Sequence, residues 1–182
     1  MHARTLLLAI LGFGETTGYD IKKMSEEGPF SYFIDISYGA IYPTLAKLEE
    51  EGCVASRIES QQGKPDRKVY SITEKGRLEF AESLAIPPGP DKFKSDFLLV
   101  AAHAAHGTPE TLQKAIDSRI DYIEKEIAMI TEHCAECDHP ATKWVGAYGV
   151  HIMQADVDYL KQNRDGLIEL AGLDLFTSEA AQ

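Results

Sequence analysis

The chain has 182 residues, a formal net charge of −11 and three cysteines. An acidic chain does not favour nonspecific binding to nucleic acid or membrane surfaces, so any nucleic-acid contact must come from a local basic patch. No apolar run approaches the roughly 20 residues that span a bilayer, and an odd number of cysteines without a disulfide framework is typical of a reducing compartment. We therefore expect a soluble cytoplasmic protein with no membrane partner.

Three helices are predicted in the first third of the chain. Residues 3–13 form a strongly apolar pattern, and residues 17–27 form a second helical pattern with Thr17 as a plausible N-cap. Residues 37–52 form a third, whose apolar side chains recur at spacings of four and three: Ile41, Leu45 and Leu48. Its outer face is small or polar and carries tyrosines on its flank: Gly39, Pro43, Ala46, Lys47, Tyr38 and Tyr42. A proline this far inside a helix predicts a kink or a loose first turn.

A hairpin is predicted after the third helix. Residues 54–61 form the incoming strand and residues 67–73 the return strand, with the reversal assigned to Gly63, Pro65 and Asp66. The end of the return strand, Thr73, suits the N-cap of a fourth helix. Cations crowd the turn, where they face phosphate more plausibly than protein: Lys64, Arg67 and Lys68. The alternative is an ordinary solvated hairpin.

The order helix, helix, helix, strand, turn, strand, helix is that of a winged helix-turn-helix. Three segments resemble the signatures of PadR-family transcriptional regulators: TGYDI at 17–21, GAIYPTLAKLEEEG at 39–52 and GKPDRKVYSITEKGR at 63–77. The chain is similar in length to the longer, AphA-like members, which carry a helical C-terminal half. The resemblance implies a homodimer on double-stranded DNA, more plausibly a repressor than an activator, and a small effector that is sometimes an aromatic acid.

The winged-helix interpretation predicts a set of DNA contacts. The third helix would enter the major groove while the wing grips the backbone beside it. Tyr42 and Lys47 are the predicted groove-facing contacts, and Tyr19 joins them through the TGYDI motif. The full set of candidate DNA-binding residues is Tyr19, Ser37, Tyr38, Tyr42, Lys47, Lys64, Arg67 and Lys68. The outer face of the third helix offers few bidentate donors of the kind that read guanine or adenine, so we expect DNA shape to carry much of the discrimination.

The cluster Pro87-Pro88-Gly89-Pro90 marks the predicted joint between two domains. We assign residues 1–86 to the DNA-binding domain, 87–90 to a linker and 91–182 to a helical domain for dimerisation and effector binding. The expected fold class is mainly α with a small β-hairpin wing.

Three helices are predicted in the second half. Residues 91–106 place Phe93, Phe97, Val100 and Ala104 on one face. Thr108-Pro109-Glu110 then starts a helix with a heptad seam, expected to form the dimer interface: Ile116, Ile120, Ile123, Ile127 and Ile130. A third helix, residues 141–170, has a similar stripe: Val145, Tyr148, Ile152, Ala155 and Tyr159. This stripe could meet the seam within the chain or across two subunits, and the alternative to a dimer is a closed intrachain bundle.

Two further groups carry chemistry. The segment 133–139, HCAECDH, could bind zinc or form a redox pair, although a helix end running into Pro140 explains it more simply. An effector pocket is suggested by aromatic and imidazole side chains that are otherwise core-forming: Phe93, Phe97, Trp144, Tyr148 and His151.

Catalytic motifs are not found in the sequence. There is no phosphate-cradling glycine loop, nucleophile elbow or paired-carboxylate motif, so we expect neither an enzyme nor a cofactor. The competing hypothesis is a winged-helix adaptor that binds proteins through its acidic second half and does not bind DNA. The wing cations distinguish the two hypotheses.

Overall fold

The computed structural model describes residues 3–26, 30, 36–61, 64–91 and 93–173. The chain divides into two compact units, Met1–Asp91 and Lys92–Gln182. The helices of the first unit are α1 (Ala3–Phe13), α2 (Gly18–Glu26), α3 (Tyr38–Glu50) and α4 (Glu74–Leu84), and its strands are β1 (Thr16–Thr17), β2 (Val54–Gln61) and β3 (Lys64–Ile72). The second unit contains α5 (Asp96–Ala102), α6 (Pro109–Glu136) and α7 (Pro140–Ile168). The predicted fold class is confirmed.

The core of the first unit is built from the apolar faces of α1, α2 and α3. The predicted stripe of α3 is fully buried, together with five residues of α1 and with Ile21 of α2. Each fully buried aliphatic side chain contributes roughly 1.5–3 kcal/mol relative to an exposed one. This burial fixes which face of α3 points outward.

The ends of α2 and α3 follow local chemistry. The hydroxyl of Thr17 accepts a hydrogen bond from the backbone N–H of Asp20, so Thr17 caps α2 as predicted. Ser37 precedes α3, but its side chain makes no capping bond, and a tight first turn is closed by the Ala40 N–H and the Ser37 carbonyl at 2.9 Å. The helix continues through Pro43 and ends at Glu50, shortly before Gly52, whose φ of 72° suits glycine.

The three strands form one antiparallel sheet in the order β1-β3-β2. Glu59 lies opposite Arg67 and Gln61 opposite Lys64, with an irregular register between the two pairs. Pro65 and Asp66 therefore lie inside β3, and their assignment to the turn was wrong. An irregular register tolerates proline because a residue there need not donate to the ladder.

The second unit is dominated by an antiparallel pair of long helices. Thr108 and His139 cap α6 and α7, and a proline occupies the first turn of each. The seam residues Ile116, Ile120 and Ile123 are buried against a set on α7 of the same chain: Val157, Leu160 and the partly buried Met153.

The Ile seam is therefore the intrachain interface between α6 and α7. Its members Ile127 and Ile130 are partly buried and continue the same side of α6. This corrects the expectation that Ile116, Ile120, Ile123, Ile127 and Ile130 are held open for a second subunit. No helix in the described ranges has the length and apolar composition needed to cross a membrane.

Candidate nucleic-acid interface

The outer face of α3 is open to solvent. Lys47 is 70% exposed at its side chain and Tyr42 is 44% exposed. Three other exposed residues of α3 are small or compact, namely Gly39, Pro43 and Ala46. Small side chains allow a helix to approach the floor of a DNA groove closely.

Tyr42 packs against the beginning of α2. A Cβ added to Gly18 would lie 2.7 Å from the Cε1 atom of Tyr42, which is closer than real contacts allow. The glycine therefore leaves space for the tyrosine ring. The neighbouring Tyr19 is 69% exposed and projects from the same helix start.

A cavity of about 510 Å³ joins α2, α3 and the hairpin. Four of the eight candidate DNA-binding residues line it, namely Tyr19, Tyr42, Arg67 and Lys68. The remaining walls are Thr17, Gly18, Asp20 and Tyr70. Two cations and three phenol rings thus surround one open concavity together with the carboxylate of Asp20, and these cations and hydroxyl groups can bind an anionic group that accepts hydrogen bonds.

The two described wing cations are held by carboxylates of the same chain. Nε and a terminal nitrogen of Arg67 donate to Glu59 at 2.9 and 2.7 Å. Nζ of Lys68 donates to Glu49 at 2.7 Å and lies 5.1 Å from the centre of the Tyr70 ring. These hydrogen bonds lower the pKa of Glu59 and Glu49 below their ordinary value, and the bond to Glu49 raises the pKa of Lys68.

Sequence reasoning missed this carboxylate network. Arg57 of β2 donates to Glu15 and also to Glu59 at 2.6 Å, so Glu59 is shared by two arginines. Arg57 and Glu59 are two positions apart in β2, so their side chains lie on the same face of the sheet. Glu59 also lies directly opposite Arg67 on β3. The two-residue periodicity of strands and the register of the hairpin could have identified the Arg57–Glu59 and Arg67–Glu59 pairs from the sequence.

The structure gives less detail for three other candidate DNA-binding residues. Ser37 is exposed immediately before α3. The backbones of Tyr38 and Lys64 begin α3 and β3, while their side chains lie outside the described residues.

The proposed effector residues lie in the second unit. The rings of Trp144 and Tyr148 stack with centroids 5.8 Å apart and planes 6° apart. Trp144 is 69% and Phe93 75% exposed, and His151 is exposed too, whereas Phe97 packs on the core of the unit. Four of the five residues are thus exposed and the fifth is a core contact, and their role in effector binding stays a prediction.

The histidines of segment 133–139 are already engaged. Nδ1 of His133 lies 2.9 Å from the Met129 carbonyl oxygen, and Nδ1 of His139 accepts the capping bond from Thr142. These contacts fit the helix-end interpretation of the segment.

A different triad has metal-ligand chemistry. Among the described residues, Glu51, Cys53 and Glu79 bring potential ligand atoms within 4.8 Å of one another. The guanidinium of Arg4 donates to both carboxylates and to the thiol, so it occupies the position that a metal cation would need. The triad is therefore an ion-pair cluster.

The helical order, the hairpin and the exposed face of α3 define a winged helix-turn-helix protein. Residues 7–82 match the family described as "Transcriptional regulator PadR-like family". The chain is also 32% identical over 133 residues, 71% of each sequence, to the negative transcriptional regulator PadR of Bacillus subtilis. The chain belongs to the PadR-like family of transcriptional regulators, in agreement with the lack of catalytic motifs.

Solved structures share the two-part architecture. The PadR-like regulator BC1756 of Bacillus cereus is 32% identical, with a TM-score of 0.78 over 92% of this chain and 96% of its own. The virulence activator AphA of Vibrio cholerae has the same fold at 21% identity, with a TM-score of 0.61 over 92% of this chain and 99% of its own.

Bacillus subtilis PadR itself has been solved with two kinds of ligand. Its complex with operator DNA is 22% identical to this chain in the aligned structures, with a TM-score of 0.75 over 90% of this chain and 98% of its own. Its complex with p-coumaric acid has a TM-score of 0.65 over the same shares. At this identity both structures support the fold alone.

Proposed function

We propose that this protein is a cytoplasmic, homodimeric repressor that binds a pseudo-palindromic DNA operator. The observation that carries the proposal is the cavity between α2, α3 and the hairpin, because it gathers cations and phenols beside an exposed helix of groove-fitting shape. The name of the Bacillus subtilis relative as a negative regulator, and its complex with operator DNA, support repression and DNA binding.

In this proposal α3 enters the major groove and the hairpin lies along the backbone. Tyr42 and Lys47 face the groove from α3, and Tyr19 reaches a phosphate from the start of α2. Lys64, Arg67 and Lys68 supply phosphate contacts from β3. Phosphate contacts fix the register of a protein on DNA without reading sequence, so DNA shape supplies much of the specificity.

The proposed dimer uses an exposed stripe of α7. Val145, Ile152 and Tyr159 are separated by seven residues each and are all exposed in the single chain. A stripe of this spacing can pack against the same stripe of a second copy related by a two-fold axis. Such a dimer would present two α3 helices to DNA half-sites about one turn apart. Light scattering should give twice the chain mass, and Ile152→Glu should give the monomer mass.

The proposed effector is a flat aromatic acid that stacks on Trp144 and Tyr148. The p-coumaric acid complex of the Bacillus subtilis relative supports this class of ligand. Trp144 is the single tryptophan of the chain, so its fluorescence reports directly on binding. Saturable quenching by p-coumaric acid, lost in Tyr148→Ala, is expected; unchanged fluorescence at millimolar ligand would contradict this part of the proposal.

The test of DNA binding is fluorescence anisotropy with duplexes from upstream of the protein's own gene, across a salt series. The variant Lys64→Ala/Arg67→Ala/Lys68→Ala should bind all duplexes more weakly and with a flatter salt dependence. A matched control removes three exposed lysines of the second unit, Lys114, Lys125 and Lys143, and should bind like the wild type. Loss of binding in both variants would point to net charge instead of wing contacts. Absence of binding by the wild type at low salt, with and without effector, would favour the protein-interaction adaptor.

A further inference from the structure

Arg67 and Lys68 are already bound to carboxylates in the DNA-free chain. Glu59 accepts from two nitrogens of Arg67 and from one of Arg57, while Glu49 accepts from Lys68 and from the hydroxyl of Ser56. The distances from Arg67 and Lys68 to the carboxylates are 2.7–2.9 Å, the range of charge-assisted hydrogen bonds. A phosphate oxygen that approaches these particular donors competes with a carboxylate oxygen for them.

The geometry makes the exchange direct. Arg67 and Lys68 line the cavity beside α3, so their donors lie where the proposed phosphate would bind. In Arg67, Nε and one terminal nitrogen both donate to Glu59, and this pair of donors is suited to bidentate phosphate binding. The carboxylates therefore occupy hydrogen-bonding positions that a backbone phosphate can also use.

The two pairs are not needed to hold the hairpin together. The antiparallel ladder already joins β2 and β3 from Val54–Ile72 to Gln61–Lys64. Both ion pairs are partly exposed, and exposed pairs contribute little to folding. The two ion pairs therefore mainly determine whether Arg67 and Lys68 are free to bind another anion.

We propose that Glu59 and Glu49 set the DNA affinity of this protein by competing with backbone phosphates for Arg67 and Lys68. The inference rests on the proposed function, because it presupposes that the wing binds DNA. In an acidic chain whose cations lie in one local patch, carboxylates that compete for these cations lower the affinity for DNA of random sequence. Each pair opens only when a duplex presents phosphates close enough to both cations.

The test measures duplex affinity by anisotropy for Glu59→Gln and Glu49→Gln. Glutamine preserves shape and an acceptor oxygen but weakens the hold on the cation, so we expect about two- to fivefold tighter binding for each replacement, the worth of an exposed ion pair. The matched control is Glu50→Gln, which removes the same charge at the position next to Glu49. Glu50 is exposed and has no ion pair in the described part of the chain, so this control should change affinity less.

A double-mutant cycle tests the route of the effect. Glu59→Gln should have no effect in an Arg67→Ala background, and Glu49→Gln should have none in a Lys68→Ala background. The tightening should also be equal on an upstream duplex and on a shuffled duplex, because phosphates carry no sequence information.

The outcomes separate the inference from the proposed function. Wild-type binding that is unchanged or weakened by both glutamine replacements would overturn the competition while leaving DNA binding intact. Equal tightening by Glu50→Gln, or tightening that persists without Arg67, would also overturn it in favour of a general charge effect. No binding by any variant at low salt would overturn the proposed function and the inference together.

Discussion

Replacing Glu79 by glutamine is expected to weaken the first unit in a pH-dependent way. Glu79 of α4 accepts two hydrogen bonds from Arg4 of α1 and one from the thiol of Cys53, whose Sγ lies 3.1 Å from Oε2. Arg4 also pairs with Glu51 at 2.6 Å, immediately after α3. One guanidinium thereby ties the first and fourth helices to the end of the third.

The magnitude follows from the ionisation of Glu79. The Arg4 guanidinium lowers the pKa of Glu79 from 4.5 to about 2. Each tenfold change in acidity corresponds to 1.36 kcal/mol, which sets a ceiling of about 3 kcal/mol for a fully shielded group. Because a third of the Glu79 side chain is exposed, solvent screening reduces the expected contribution to about 1–2 kcal/mol.

The sign of the pH dependence is fixed by the direction of the pKa change. Folding lowers the pKa of Glu79, so its carboxylate stabilises the fold fully above its unfolded pKa near 4.5, and this contribution declines as the pH falls toward 2. At pH 7 the free energy of unfolding of Glu79→Gln should be about 1–2 kcal/mol below that of the wild type. At pH 3 less than half of this difference should remain.

Urea titrations at pH 7, 5, 4 and 3, followed by circular dichroism, measure the difference. Trp144 fluorescence follows the second unit separately, because it is the single tryptophan. The matched control is Glu82→Gln, which removes an exposed carboxylate from the same helix. A difference between Glu79→Gln and the wild type that is absent at pH 7, or equally large at pH 3, would refute the assignment to the ionised pair.

Three further substitutions test the packing. Gly76→Ala should destabilise the first unit by about 1–3 kcal/mol in urea titrations, because its Cβ would lie 2.1 Å from the Cys53 carbonyl oxygen. Gly18→Ala should leave stability nearly unchanged but weaken duplex binding in anisotropy several-fold, because its Cβ displaces the Tyr42 ring. Ile123→Ala should cost the second unit about 2–5 kcal/mol, measured by tryptophan fluorescence.

Controls for these substitutions are available in the chain. Gly12→Ala adds a Cβ to α1 where no atom lies within 4 Å, so it should be neutral or stabilising. Gly39→Ala does the same on the outer face of α3 and leaves Tyr42 in place. A stable Gly76→Ala protein, or normal DNA binding by Gly18→Ala, would contradict the close contacts. For Ile123→Ala, an unchanged fluorescence transition would contradict its burial.

Local signals accounted for most of the fold. Apolar spacing predicted the buried face of α3, and the capping chemistry of Thr73 and Thr108 located the starts of α4 and α6. One error arose where local signals compete with tertiary structure. Pro65 and Asp66 are turn-forming residue types, but they lie within β3, which pairs with β2.

The partners of side chains were harder to predict than their faces. A heptad seam specifies which side of α6 is buried, but it does not specify whether α7 or a second chain covers it. The hydrogen bond between Lys68 of β3 and Glu49 of α3 likewise joins residues 19 positions apart in the sequence. No local sequence pattern predicts such a pair. The sequence therefore identified the basic wing but not the carboxylates that hold it.

The antiparallel pair of α6 and α7 also bears on the kinetics of folding. Only three residues, 137–139, separate the two helices, so their first contacts close a very short loop and cost little chain entropy. Successive cross-helix pairs then lie farther along the chain, from Lys161–Glu124 at 37 positions to Arg164–Asp117 at 47.

The first unit has a different contact pattern, because its Arg4–Glu79 pair spans 75 positions. Folding rates fall as contacts become more distant in sequence. We expect the second unit to close progressively from its turn and to reach its native state before the first. The second unit would then fold faster than the first, although the ribosome synthesises it later.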